Sequence, residues 1–238
     1  MTKILAGNYK YILSFLSFRM PDKAPIASVS KLAQRILEAA RERIFRAGLR
    51  ALTMDDLAHD LGVSKKTLYV HFPSKEAIAE QIVEFIGRTM RARFDSIFDN
   101  TKLSFSEKMC AIGELIGTML AKINPAVLRD FQQQAPALFQ KIDELRKKNI
   151  PYVFGRLLRE GQAAGLVRAD VDVPFASEFW LQAVRGLMHP DTLERTELSP
   201  RQTLDKAIGI FLGGVLSSVG RKDYENHLKK HPHAHPSV

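Results

Sequence analysis

Cysteine is almost missing from this 238-residue chain. Cys110 stands alone, so no internal disulfide can form and packing must hold the fold. That usage fits a reducing compartment, the cytoplasm. Long apolar runs are missing as well. The stretch from Ala111 to Ile123 contains Glu114 and falls short of the roughly 20 apolar residues that cross a bilayer, so no membrane span is expected. The apolar run Tyr11–Phe18, behind Lys3 and Lys10, has the outline of a signal peptide but lacks the small-residue cleavage site. Arg19-Met20-Pro21-Asp22 follows instead. Met20 is read as an alternative start and residues 1–19 as an upstream extension, which the intact mass of natively expressed protein would test. There is no glycine-rich phosphate loop, no metal-ligand spacing and no Gly-x-Ser-x-Gly elbow. An enzyme would therefore lack a catalytic set, and neither a cofactor nor a metal is expected. Strand-like alternation, internal repeats and low-complexity tracts are absent too.

What the chain does have is an ordinary globular composition, 45% hydrophobic, and a net charge of +9 placed unevenly. Residues 1–30 carry four Lys/Arg against one acid, and residues 31–93 carry twelve against eight. The remaining 145 residues carry 19 against 17. The excess sits in the first third, where a polyanion would be met.

Apolar residues recur at three- and four-residue spacing along most of the chain, which makes it all-α. Residues 1–30 read as a flexible extension. Leu32, Ile36, Ala39, Ala40, Ile44 and Phe45 form one helical stripe, and Gly48 ends that helix. Thr53 caps a short helix to about Asp60, and Asp55 and Asp56 suit its positive end. Leu61-Gly62-Val63 is a tight turn, and Ser64 caps a second short helix, Lys65 to His71. Phe72-Pro73 breaks the chain and Ser74 caps a longer helix from Lys75. Further helices are expected over about 105–123, 125–148, 150–165, 173–188 and 200–220, with breaks at Pro125, Pro151, Gly165, Pro174, Pro190 and Pro200. The boundaries expected are a head over 31–78, a helical body over 79–222 and a disordered His/Pro-rich tail over 223–238. In that tail His231, His233 and His235 alternate without an acid or cysteine to complete a metal site.

Two short helices joined by a glycine turn, with a third in front, make a helix-turn-helix head. Its residues go further. Ile36, Ala39-Ala40, Ile44-Phe45, Gly48, Thr53, Leu57-Ala58 and the run Leu61-Gly62-Val63-Ser64-Lys65-Lys66-Thr67-Leu68-Tyr69-Val70-His71-Phe72-Pro73-Ser74-Lys75-Glu76 resemble the TetR/AcrR DNA-binding domain. The resemblance covers about residues 31–80. It implies a transcriptional regulator, foremost a repressor, that binds double-stranded DNA as a homodimer and leaves a palindromic operator when a small molecule binds. A DNA-binding regulator or architectural factor without such an effector, and an activator, remain open. Lys65, Lys66 and Thr67 occupy the helix turn that enters the major groove, where lysine reads guanine or touches phosphate. The resemblance assigns phosphate contacts to Tyr69, His71, Thr53 and Lys75. Thr53, Ser64 and Ser74 also serve as caps, and His71 also reads as a half-buried packing residue.

Beyond the head the resemblance is weaker. It implies a helical effector-binding domain whose last two long helices pair with a second subunit. Pro174–Met188 and Arg201–Val219 suit that role, with Phe175, Phe179, Ile208, Phe211, Leu212 and Val215 as interface candidates. Helix 201–219 is apolar on most sides, so it must be buried on most sides. An effector of apolar or aromatic type would meet Met119, Phe131, Phe139, Tyr152, Phe154 and Trp180, residues that serve equally as plain core. Asp143, Glu144, Arg156, Glu178, Arg185 and His189 are the candidate polar anchors.

Overall fold

The computed structural model describes residues 30–123 and 125–230. The expectations for Met20, for the N-terminal extension and for His231, His233 and His235 fall outside them. Among the described residues the chain is all-α, and its only β-type contact is an isolated bridge between Val167 and Leu216.

Helices α1 (Lys31–Ala47), α2 (Met54–Leu61) and α3 (Lys65–His71) form the head. Each opens on a hydroxyl that satisfies an orphan backbone N–H. Ser30 accepts from Ala33, Thr53 from Asp56 and Ser64 from Thr67. Gly62 stops α2 in the left-handed region, at φ 65° and ψ 34°. Gly48 stops α1 at φ 83°, and a Cβ there would lie 2.8 Å from the Asp130 carboxylate. Ile36, Leu52, Leu57, Leu68 and Ile78 are wholly enclosed, each contributing about 1.5–3 kcal/mol through burial.

Helix α4 (Lys75–Phe98), capped by Ser74, belongs to two cores at once. Ile78, Ala79, Ile82 and Phe85 pack in the head, while Met90, Phe94 and Phe98 pack in the body. The body continues as α5 (Phe105–Leu120), α6 (Pro125–Gln134), α7 (Pro136–Ala163), α8 (Val173–Leu187), α9 (Pro190–Thr196), α10 (Pro200–Val215) and α11 (Ser218–Lys230). Its centre is aromatic: the Trp180 ring lies 4.8 Å from Phe154 and 4.9 Å from Phe211.

Several expected boundaries move. The head's packing does not end at residue 78, because Val127, Phe131, Ala135 and Leu138 from α6 and the start of α7 complete its core. Pro151 does not open a helix but sits inside α7. An interior proline removes one backbone hydrogen bond and costs about 3 kcal/mol in a free helix. The burial of Val153, Phe154, Leu157 and Leu158, just beyond it, offsets that cost. The break falls instead at Ala135-Pro136. Residues 223–230 are helix rather than disordered tail. They are held there by Ser106, whose hydroxyl donates to Asp223 at 2.5 Å, and by Tyr224, which packs on the body's core. Gly220 seats α11 against the chain, since a Cβ there would meet the Leu166 carbonyl oxygen at 1.9 Å.

Candidate nucleic-acid interface

Helix α3 is two-faced. Leu68 and Phe72, one turn apart, are buried in the head's core. Lys65, Lys66, Tyr69 and Val70 face out, with Tyr69 51% and Val70 76% exposed. Val70 did not figure among the sequence candidates. Its position one turn after Lys66 was the available signal, obscured by an apolar side chain that reads as core. Thr67 is half-buried, and its hydroxyl lies 2.8 Å from that of Ser64. His71 is half-buried at the C-terminal end.

Two helices brace this face. The Lys65 ammonium lies 2.6 Å from the Asp55 carboxylate of α2, and that hydrogen bond raises the lysine's pKa. Arg43 of α1 reaches Asp56 at 3.2 Å and Asp60 at 2.7 Å, clamping α2 onto α1. The Thr53 hydrogen bond, more than Arg43, holds the Asp56 carboxyl below the usual carboxylate range. Thr53 is exposed at the start of α2. Lys75 is half-buried, and its ammonium donates to the Leu49 carbonyl at 3.1 Å, so it also ties α4 to the loop before Thr53. That loop is held from the far side by Asp130 of α6, which accepts from the Arg50 N–H at 3.0 Å.

The interface candidates of α8 and α10 divide. Phe175 and Phe179 are exposed at 71% and 55%. Phe211, Leu212 and Val215 turn inward, into the chain's own core, and Ile208 is half-buried. The outer face of α10 is instead Lys206, Gly209, Ile210, Gly213 and Gly214, with Ile210 80% exposed. A helix apolar on nearly every side does not announce which side turns inward, and the glycines on this one hid its outer face.

A cavity of about 40 Å³ lies between α5, α7, α10 and α11. Of the expected effector contacts only Phe154 lines it. Trp180 lies behind Phe154, and Met119 packs half-buried on the body's core. Phe131 is in the head's core, and Phe139 meets the His189 ring edge-on. Tyr152 donates to Asp95 at 2.5 Å, beneath Arg91. The expected polar anchors are spent elsewhere: Arg185 on Asp143, Lys147 on Glu144, Gln182 on Glu178, Arg156 on Asp99 and His189 beside Gln132. The polar groups that do reach the cavity, Glu114, Arg201, Asp205 and Tyr224, were not singled out. Arg201 and Asp205 stand four apart on α10, but Glu114 and Tyr224 come from two other helices, so no sequence spacing connects the whole set.

Residues 36–82 match the family of bacterial regulatory proteins called tetR. The repressor KstR2 of Mycolicibacterium smegmatis is 29% identical over 201 residues, which cover 79% of this chain and 92% of that protein. The nucleoid occlusion factor SlmA of Idiomarina loihiensis is 34% identical over 113 residues, covering 48% of this chain and 56% of its own. Among solved structures, the ketosteroid transcriptional regulator KstR2 of Mycobacterium tuberculosis superposes with a TM-score of 0.51 at 24% identity, over 80% of this chain and 98% of that one. Residues 36–82 thus carry the head of the tetR family of bacterial regulatory proteins, and the chain is similar to such a repressor over nearly all of the repressor's length.

Proposed function

We propose that this transcriptional regulator is a cytoplasmic repressor that binds a palindromic operator as a homodimer and is released by a small apolar or aromatic effector. The observation that carries the reading is the outward face of α3. Lys65, Lys66, Tyr69 and Val70 project from a helix whose other side is locked down by Leu68 and Phe72. A short helix presented this way fits a major groove. Lysines at its N-terminal end reach base edges or phosphates, and an exposed β-branched methyl suits a thymine methyl. Thr53, Ser64, Thr67, His71 and Lys75 surround that face as phosphate contacts, with N–H groups at helix starts adding donors.

A second copy would meet Phe175 and Phe179 of α8 and the Ile210 and glycine face of α10, setting two heads at the spacing of successive grooves, about 34 Å. Release follows from α4 and α6. Both helices carry side chains into the head's core, and α4 also runs into the body. An effector that reshapes the body therefore moves the head. It must favour the released arrangement, and operator DNA must then weaken effector binding by the same factor. The resemblance to SlmA supports a second reading, a DNA-binding factor without a small-molecule effector.

The test is fluorescence anisotropy with DNA from the protein's own upstream region across a salt series. Wild type should bind saturably and lose affinity as salt rises. The Lys65→Ala, Tyr69→Ala double variant should bind at least about tenfold more weakly, with a shallower salt slope. Equal binding by the double variant would remove α3 from the interface. Failure of wild type on both this region and a random operator library would overturn the reading.

A further inference from the structure

The cavity is small and chemically lopsided. Its walls are apolar: Ile112, Ile116, Phe154, Leu157, Phe211 and Leu212. At about 40 Å³ it has room for only a few waters, so an effector enters by pushing a wall outward. One wall is α11, which rests on α5 through the Ser106–Asp223 hydrogen bond and Tyr224 and on Leu166 through Gly220.

At one end of the cavity three charges meet. Arg201 Nε donates to the buried Asp205 carboxylate at 2.9 Å. Its Nη2 reaches Glu114 at 3.4 Å, and Glu114 also accepts from the Thr118 hydroxyl at 3.0 Å. The guanidinium lies across Gly117, where a Cβ would fall 2.0 Å from Nη1. Two carboxylates on one guanidinium leave this end with an excess negative charge. Nothing else around the cavity corrects it, because no lysine or histidine lines it. Burial pushes the Cys110 thiol and the Tyr224 phenol up to about 12, so both remain neutral.

We infer that the effector is a compact apolar body carrying a protonated amine, which binds with its ammonium at Glu114 and Asp205 and its apolar part against Phe154 and Phe211. A cation neutralises the excess charge and gains charge-assisted hydrogen bonds. A carboxylate would have to displace one of the two that already hold Arg201. The inference rests on the reading of this chain as an effector-responsive regulator.

The molecule carries its own reporter. Trp180, the sole tryptophan, lies within 5 Å of Phe154 and Phe211, at 4.8 and 4.9 Å between ring centroids. Cyclohexylmethylamine, cyclohexylmethanol and cyclohexanecarboxylate, which do not absorb where tryptophan does, are titrated into the full chain at pH 7 while Trp180 fluorescence and Tm are followed. The amine should bind about tenfold more tightly than the alcohol, and the carboxylate least tightly. Glu114→Gln, which preserves shape, should bring the amine down to the alcohol's affinity. Gly113→Leu, where an added Cβ meets nothing within 4 Å, should fill the cavity and abolish both. A carboxylate that binds tightest and is lost in Gly113→Leu would overturn the amine assignment. A fluorescence change that persists in Gly113→Leu, or none with any probe, would overturn the cavity as the site. The same amine is then added to the operator complex. Binding without release of DNA would support the ligand class and count against the effector-responsive reading.

Discussion

Cys110 faces a cavity, yet it is a poor nucleophile. Burial, aided by the charge of Glu107, pushes its thiol up to about 12. At pH 8 only about one thiol in ten thousand would be thiolate, the form that reacts. Ellman's reagent should therefore label the native protein far more slowly than the urea-unfolded chain. Equal rates would show that the folded chain leaves this thiol accessible and reactive. Lys65 is a different case. Its partner Asp55 is as exposed as it is, so the ion pair orients the ammonium without locking it.

Between elements, a two-pronged polar contact joins α7 to α8. Arg185 donates to both oxygens of Asp143, at 2.7 and 2.9 Å, and the Lys147 ammonium stands 3.4 Å away. Burial works against this carboxylate, but Arg185 and Lys147 outweigh it and hold the pKa below the usual range. A group whose folded pKa is depressed stabilises the fold above its unfolded pKa, near 4, and loses that contribution as pH falls through the folded value. Asp143→Asn should thus cost about 1 kcal/mol at pH 7, and its stability should converge with wild type below pH 4, as urea titrations would measure. A gap that stays constant with pH would mean the charge contributes nothing. Helix α6 does its work on the other side of the molecule. It closes the head's core with Val127 and Phe131 and holds the loop before α2 through Asp130. A helix that sequence order assigns to the body is, by packing, part of the head.

For the whole molecule, the exposed faces of α8 and α10 carry the largest consequence. Phe175, Phe179 and Ile210 are large apolar side chains left in water, and the glycines beside Ile210 let another helix approach closely. Introducing charge there, as Phe179→Glu with Ile210→Glu, should shift the mass in solution from that of a pair toward the 26.8 kDa of one chain, as light scattering would read. Operator affinity should fall with it, because two linked heads bind far more tightly than one. A wild-type protein that already runs as a single chain would sink the dimer.

The head was legible because its determinants are local. A cap joins residues three apart, Gly62 serves a single turn, and Leu68 and Phe72 are one helical turn apart. Helical periodicity likewise announced an all-α chain. What the tertiary structure alone decided depends on residues far apart in sequence: which side of α10 turns inward, that α7 runs through Pro151, that α6 completes the head, and that Glu114, Arg201 and Asp205 converge on one cavity. Short-range hydrogen bonds and turn geometry are set by a few neighbouring residues. The side on which a uniformly apolar helix is buried is set by the partners it meets, and those are chosen only when the whole chain packs.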